Sequence, residues 1–344
     1  MMFVLSSDIT IGNFRFGGEH EVRIKRSLYS IADTAVIRIP SIAKVVTGNN
    51  TQPGVVTTGK QFSDGDPVII KLGYDADLQT EFVGFVKRRN VDMPLTIECE
   101  GYSWLLRRNN LDIFEKSITI KDLLLKAVAG IDKNYEIKVQ CTVDYTLENV
   151  YIPNARGFDI INSILQYTDG ALNCCFIQPD TLWCGLVFTP YANGNDVFEL
   201  GKVNYKLGYN VVKNNTLKER LTENDPAKVT YSTRLSTGDK VSQSSDVFTD
   251  FVRTHNKILT QVKDATTLTQ LANEKAYKLN YSGYEGSIHA FLQPYVTPGY
   301  QAYVTDEQYP ERNGSYLIEG TEVRFGMNGA RRLVEIGVMA GFAK

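Results

Sequence analysis

Residues 294–341 read PYVTPGYQAYVTDEQYPERNGSYLIEGTEVRFGMNGARRLVEIGVMAG, and three strand-like runs stand out in them: Gln301–Thr305, Tyr316–Phe325 and Arg332–Val338. Turn residues separate the runs. Pro298-Gly299 precedes the first, Asn313-Gly314 the second, and Gly326 with Asn328-Gly329 the third. In the second run Thr321, Val323 and Phe325 alternate with Glu322 and Arg324; in the third, Val334, Ile336 and Val338 alternate with Leu333, Glu335 and Gly337. A strand sends successive side chains to opposite faces, so each run has a core face and an outer face. The pattern predicts the antiparallel meander of a small β-barrel.

An earlier stretch, Gly65–Tyr102, has the same order of parts. Val68–Leu72 follows Gly65 as Ala302–Thr305 follows Gly299. A turn over Asp75–Asp77 leads into Phe82–Val86, and a second at Asp92–Pro94 leads into Leu95–Glu100. In that last run Leu95, Ile97 and Cys99 alternate with Thr96, Glu98 and Glu100. Few residues are identical between the two stretches, so the repeat is one of topology.

Between and around these meanders the period changes. Residues 1–105 alternate as β almost throughout, with Phe14–Phe16, Val22 with Ile24, and Ala35–Ile39 as strands, and with Asn49–Gly59 as a polar connecting loop. Ser117–Gly130 places Ile120, Leu123, Leu124, Ala127 and Val128 on one helical face, with Ser117 or Thr119 as N-cap. Asn154–Gly170 does the same with Phe158, Ile161, Ile164 and Leu165, and Gly170 serves as its C-terminal glycine. Tyr135–Gln140, Leu172–Ile177 and Leu182–Val187 read as short strands. Later come Tyr205–Val212, Ala227–Thr233, Lys240–Ser245 and Gly283–Phe291 as strands, and Ala265–Asn280 as one helix. The class is mainly β (α+β). The division predicted is 1–105 as a first tube-like β-barrel domain, 106–200 as an inserted small α+β domain, and 201–344 as a second tube-like β-barrel domain.

The 344 residues have enough apolar content, 43%, to build two or three such units. A net charge of −2 gives no general attraction to nucleic acid or an anionic membrane. No apolar run reaches the roughly 20 residues needed to span a bilayer, and the start MMFVLSSDITIG lacks the basic region of a secretory signal. Five cysteines without a regular framework point to reduced thiols in a protein made in the cytosol.

The order of parts resembles a bacteriophage tail baseplate hub protein of the late-control type, related to the hub half of the type VI secretion spike protein. GDPVIIKLGY (65–74), EFVGFV (81–86) and ECEGYSWLLRR (98–108) resemble the family's first barrel. RGFDIINSILQYTDGALNCCFIQPDTLWCG (156–185) resembles its insert, LGYNVVKNN (207–215) the opening of its second barrel, and 284–337 is the most similar stretch. Glu100-Gly101 stands where such hubs often have Glu-Asp. The resemblance implies a homotrimer in the virion tail baseplate, assembled in the bacterial host cytoplasm. Two barrels per chain then give a pseudo-sixfold ring that joins the hexameric tail tube protein to a trimeric spike or tail-tip protein, with the tape measure protein as a further partner. Any lysin or spike tip is expected on a separate chain.

Chemistry is sparse. His20, His255 and His289 are far apart, and Cys99, Cys141, Cys174, Cys175 and Cys184 lack the spacing of a zinc site, so no metal, cofactor or catalytic residue is expected. The Cys174–Cys184 group reads as core of the insert. Glu98 and Glu100 share a strand face and are the nearest approach to a glycosidase pair, but carboxylates on one face flank no cleft; a solvated or lumen-facing strand surface is the better reading. Lys87-Arg88-Arg89, Arg107-Arg108 and Arg331-Arg332 read as contact surface, without a motif for specific nucleic-acid recognition. The function expected is therefore a non-enzymatic hub, against two alternatives: a cell-wall-degrading tail enzyme with its site in 106–200, or a host-binding tail-tip protein. Asn49–Gly59, Tyr309–Gly314 and the helix Ala265–Asn280 are the expected contact elements.

Overall fold

Alternating apolar residues make strands of both ends of the chain, and a mixed segment lies between them. The computed structural model describes residues 4–16, 20–45, 54–90, 93–213, 216–220, 226–248 and 251–341. The N-terminal strands are β1 (Leu5–Ile11), β2 (Phe14–Phe16), β3 (Glu21–Ser27), β4 (Thr34–Ile39), β5 (Ile42–Val45), β6 (Gly54–Thr57), β7 (Pro67–Tyr74), β8 (Asp77–Asn90) and β9 (Leu95–Glu100). The middle holds β10 (Leu111–Thr119), α1 (Ile120–Val128), β11 (Lys138–Cys141), β12 (Thr146–Ala155), α2 (Gly157–Tyr167), β13 (Asn173–Gln178), β14 (Thr181–Gly185) and α3 (Phe188–Ala192). Then come β15 (Lys202–Lys206), β16 (Val211–Lys213), β17 (Lys218–Arg220), β18 (Ala227–Arg234), β19 (Lys240–Ser244) and β20 (Arg253–Ile258). The chain ends with α4 (Ala265–Asn280), β21 (Gly283–Ala290), β22 (Gln301–Thr305), β23 (Gly314–Gly326) and β24 (Gly329–Met339).

Both meanders are present. β7-β8-β9 and β22-β23-β24 are antiparallel throughout. The strands around them repeat the wiring in the same chain order. β9 pairs β4 and β4 pairs β3, as β24 pairs β21 and β21 pairs β16 and β17. β7 pairs β1 and β22 pairs β15, the first pair antiparallel and the second parallel. Even the local bonds match. The N–H of Gly65 donates to the Val86 carbonyl at 2.8 Å, and that of Gly299 to the Ile318 carbonyl at 2.9 Å. Both glycines stand at positive φ, 94° and 95°, which side chains disfavour.

The expected separate barrels do not close on their own among the described residues. The two repeats join into one 14-stranded sheet instead, because β23 is long enough to change partner. Its first residues pair β22 and its last, Gly320–Phe325, pair Val22–Ser27 of β3. Each repeat buries one face: Ile9, Ile37, Val68, Ile70 and Ile97 in the first, and Tyr205, Ile288, Val304, Tyr316 and Val334 in the second.

The helices start later than the expected stretches Ser117–Gly130 and Asn154–Gly170, because strands claim the first residues of each. Ser117–Thr119 end β10, and Thr119 caps α1 by accepting from the Asp122 N–H. Asn154 and Ala155 end β12, so α2 begins at Gly157. Tyr205–Val212 is not one strand: the Asn210 side chain accepts from the Lys206 N–H at 2.8 Å and makes a turn between β15 and β16. Of the expected loop Asn49–Gly59, positions 49–53 lie outside the described residues; Gly54–Thr57 are a strand, pairing β5 in a two-stranded ribbon.

A third core fills the middle. Leu123, Leu124, Ile160, Ile161, Ile164 and Leu182 meet Val229, Tyr231, Leu268, Leu271 and Ala272. The sheet β19-β18-β20 and helix α4, which interrupt the second repeat between β17 and β21, therefore pack against the segment that separates the repeats.

Candidate assembly surfaces

The charged residues singled out in the sequence sort into buried joints and an exposed sheet face. Arg332 is 1% exposed and makes a two-pronged pair with Glu81, Nη2 to Oε1 at 2.6 Å and Nη1 to Oε2 at 3.1 Å. Its remaining N–H groups donate to the carbonyls of Leu292 and Val296. Arg332 is thus a fastener between the two repeats, and its reading as contact surface is corrected. It shares the parity of Val334, Ile336 and Val338, which was the signal available in the sequence.

Glu100 is likewise fully buried, not solvated. Ser103 Oγ and Arg107 Nε donate to its Oε1 at 2.8 and 2.7 Å, and Lys87 Nζ lies 2.9 Å from Oε2. Burial alone raises a carboxyl pKa, but these partners outweigh it and hold Glu100 below its ordinary range. The β-bulge at Lys87 between Val86 and Arg88 offsets the register there. Glu98 stays on the outer face, paired with Arg88 at 2.8 Å. Arg107 lies over the Phe158 ring and Arg108 over Trp104. The basic runs are spent largely inside the chain.

Two carboxylates fasten the middle segment. Glu274 of α4 is buried and accepts from the N–H groups of Val187, Phe188 and Thr189, each at 2.7 Å. Burial pushes its pKa up, and those donors partly offset the rise. Asp169, at φ 55° just past α2, gathers four side chains from three other elements. The Tyr231 hydroxyl donates to Oδ2 at 3.0 Å, His255 Nε2 lies 2.6 Å from the same oxygen, Lys257 pairs with Oδ1, and Lys275 Nζ donates to the main-chain oxygen at 2.8 Å. Burial opposes its ionisation, but the donors from Lys257 and His255 prevail and bring its pKa to about 2. His255, far from the other histidines in sequence, belongs to this joint. The histidines do not meet one another, and no group of His, Cys, Asp or Glu among the described residues is arranged to hold a metal ion.

The expected contact elements fare differently. Helix α4 exposes little beyond Ala265, Thr266 and Gln270, so it is an internal strut and not a free surface. Tyr309–Gly314 stays exposed, with Arg312 stacked 4.3 Å over Tyr309 and paired with Asp306. The sequence reading named Arg88, Arg331 and Glu98 separately as surface residues but did not bring them together. Directly opposed residues across six strands, Arg331, Arg324, Arg23, Val36, Glu98 and Arg88, form one row on the outer face of the joined sheet. Glu322 supports it from the next row, pairing with Arg23, Lys25 and Arg324.

Solved structures share this architecture. A tail protein from Neisseria meningitidis MC58 superposes with a TM-score of 0.67 at 13% identity, covering 98% of each chain. The chain has the fold of a phage tail protein. A 43 kDa tail protein of prophage MuSo2 from Shewanella oneidensis matches at TM-score 0.62 and 13% identity, over 96% of this chain and 98% of that one. The E. coli c3393 protein matches at TM-score 0.58 and 11% identity, over 97% of this chain and 77% of that one. It is described as a component of the type VI secretion system with structural similarity to T4 bacteriophage tail proteins gp27 and gp5. No protein-family model matches the sequence, and no curated protein matches it. Among the described residues, no helix of this tail-protein fold is long and apolar enough to cross a membrane.

Proposed function

We propose that this chain is a structural, non-enzymatic hub of a phage tail or related injection machine, located in the virion tail baseplate. Three copies form a pseudo-sixfold ring that joins a hexameric tail tube to a trimeric spike or tail-tip protein. The tail-protein fold supports this reading, and one observation carries it. Inside the chain, the last residues of β23 are covered by β3. The corresponding end of β8, from Lys87 to Asn90, has no strand beside it on the side away from β9 among the described residues. The counterparts of β3 in the second repeat, β16 and β17, stand at the far end of the same sheet. Repeating the internal joint between copies lays β8 of one along β16 and β17 of the next. Exposed edges of this kind invite pairing, and a head-to-tail contact closes only as a ring.

In that ring the repeats supply the tube-like domains and 106–200 the insert, with the strands and helix of 226–280 added to the insert by their shared core. The charged outer face carrying Arg23, Arg324 and Glu98 lines the bore. Solution mass by light scattering tests the reading, beside an Arg89→Pro variant. The register turns the Arg89 backbone away from β9, so proline there removes an edge N–H, which edge strands tolerate. The expected result is a trimer for the native chain and a folded monomer for the variant. A dimer, or a trimer indifferent to Arg89→Pro, overturns it. No clearing of peptidoglycan is expected from the pure protein.

A further inference from the structure

Three of the five cysteines stand in one row. The register of the small sheet β11-β14-β13 sets Cys141 opposite Cys184 on one side and Cys174 opposite Cys184 on the other. Directly opposed residues point to the same face, and Cys175, one residue on, points to the other, into a different core. Neighbouring strands lie about 4.8 Å apart, within the Cα separation of 4.4–6.8 Å or so that a disulfide needs. Cys141 and Cys174 are two strands apart, about 10 Å, beyond that limit. Cys184 is thus the shared neighbour of both. Its Sγ already accepts from Cys174 Sγ at 2.9 Å. Cys174 and Cys184 are buried, whereas Cys141 is half-buried and donates to the Val143 carbonyl.

We propose that this row is a built site of disulfide formation, with Cys141 as the point of entry, Cys184 as the pivot and Cys174–Cys184 as the final bond. With a small-molecule disulfide as oxidant, the Cys141 thiolate attacks it and expels one small thiolate. The Cys184 thiolate then attacks the Cys141 sulfur, expels the second and leaves Cys141–Cys184. The Cys174 thiolate attacks the Cys184 sulfur from the opposite flank, the Cys141–Cys184 bond breaks, and Cys141 leaves as a thiolate that takes up a proton. Two protein thiols have lost two hydrogens, and one small disulfide has become two thiols. Three sulfurs in line across three strands suit this exchange, which needs attacker and leaving group on opposite sides of the central atom.

The Cys184 thiol beside it, and then burial, push the Cys141 thiol above its ordinary value. Because the thiolate is the attacking species, formation is slow near neutrality and speeds up as pH rises. The site is therefore suited to one slow oxidation on leaving a reducing cytosol, not to rapid signalling. This chemistry stands whether or not the chain is a tail hub.

The test incubates the reduced, folded protein with oxidised glutathione at mildly alkaline pH, quenches with acid, then alkylates in denaturant and reads intact mass and peptide map. Five alkylatable thiols are expected to fall by two, with Cys141, Cys175 and Cys99 still alkylated. Cys141→Ser slows the loss and leaves the product the same; Cys174→Ser halts at Cys141–Cys184; Cys184→Ser abolishes the intrachain bond. The native protein alone decides the matter if a variant fails to fold. Five thiols persisting after prolonged treatment, or a bond that involves Cys175 or Cys99, overturns the proposal.

Discussion

The two repeats share their wiring except for the direction of one outer strand, β1 against β15, and have different neighbours. In the first, β4 runs on through a short ribbon into β7, and β3 is covered by β23 from the other end of the chain. In the second, a three-stranded sheet and a sixteen-residue helix enter one connection earlier, between β17 and β21, the counterparts of β3 and β4. Among the described residues, the counterparts of β3 end the sheet uncovered. One pattern of strand pairing has thus been kept while its insertions and edges have diverged. The lesson is that pairing order, which backbone bonds fix, tolerates far more sequence change than the surfaces it carries.

The joint between the repeats offers the sharpest break. Arg332→Ala leaves Glu81 buried without its partner, and the loss expected in urea denaturation is about 3–5 kcal/mol. Replacing both, Arg332→Met with Glu81→Leu, should recover much of it, since the pair's desolvation is then no longer required. If the single variant is nearly neutral, the two repeats are held by their strands alone.

The joint between the middle segment and the one inserted into the second repeat answers to pH. Asp169 has a folded pKa of about 2 against an ordinary 3.8. The unfolded chain takes up the proton first, so the stabilisation is complete above the ordinary value and lost as pH falls towards 2. The difference of nearly two units corresponds to about 2 kcal/mol. Melting curves between pH 5 and 2 are expected to fall more steeply for the native protein than for Asp169→Asn. Parallel curves would detach Asp169 from that role.

Equivalent glycines test the repeat itself. A Cβ on Gly65 would meet Trp104 Cη2 at 2.7 Å, and one on Gly299 would meet Leu200 Cδ1 at 2.9 Å, both at strongly positive φ. Gly65→Ala and Gly299→Ala should each lower stability by about 1–2 kcal/mol in thermal unfolding. The stiffer indole makes the first the larger. The smallest effect belongs to the outer face. Arg88 is 64% exposed, so Arg88→Ala should cost no more than about 1 kcal/mol by the same melts, well short of Arg107→Ala beside buried Glu100.

Much of the fold was legible in period alone. Leu95–Glu100 and Ala265–Asn280 end where their patterns end. What alternation could not convey was partnership. Nothing in Gly320–Phe325 says that its mate is Val22–Ser27, because strand pairing is set by packing over the whole chain and leaves no local mark. Nor could it anticipate that the helical turn Tyr102–Arg107 folds Ser103 and Arg107 back over Glu100, which is why Glu100 read as solvated. Arg332 was legible, had the parity of its strand been weighed above its charge. Asp169 was hidden more deeply: its partners arrive from β18, β20 and α4, and only the fold brings them together.

The joint of β3 with β23 also sets a timetable. Arg23 and Glu322, which pair across it, are 299 positions apart. At roughly 5–20 residues per second on the ribosome, β3 waits on the order of 15–60 s for its mate to be synthesised. During that interval its open edge is a template for any passing strand, and the basic side chains Arg23 and Lys25 are the guard that like-charge repulsion and solvation supply. The first repeat is built to be born unfinished and kept from mispairing until the last strands of its own chain arrive.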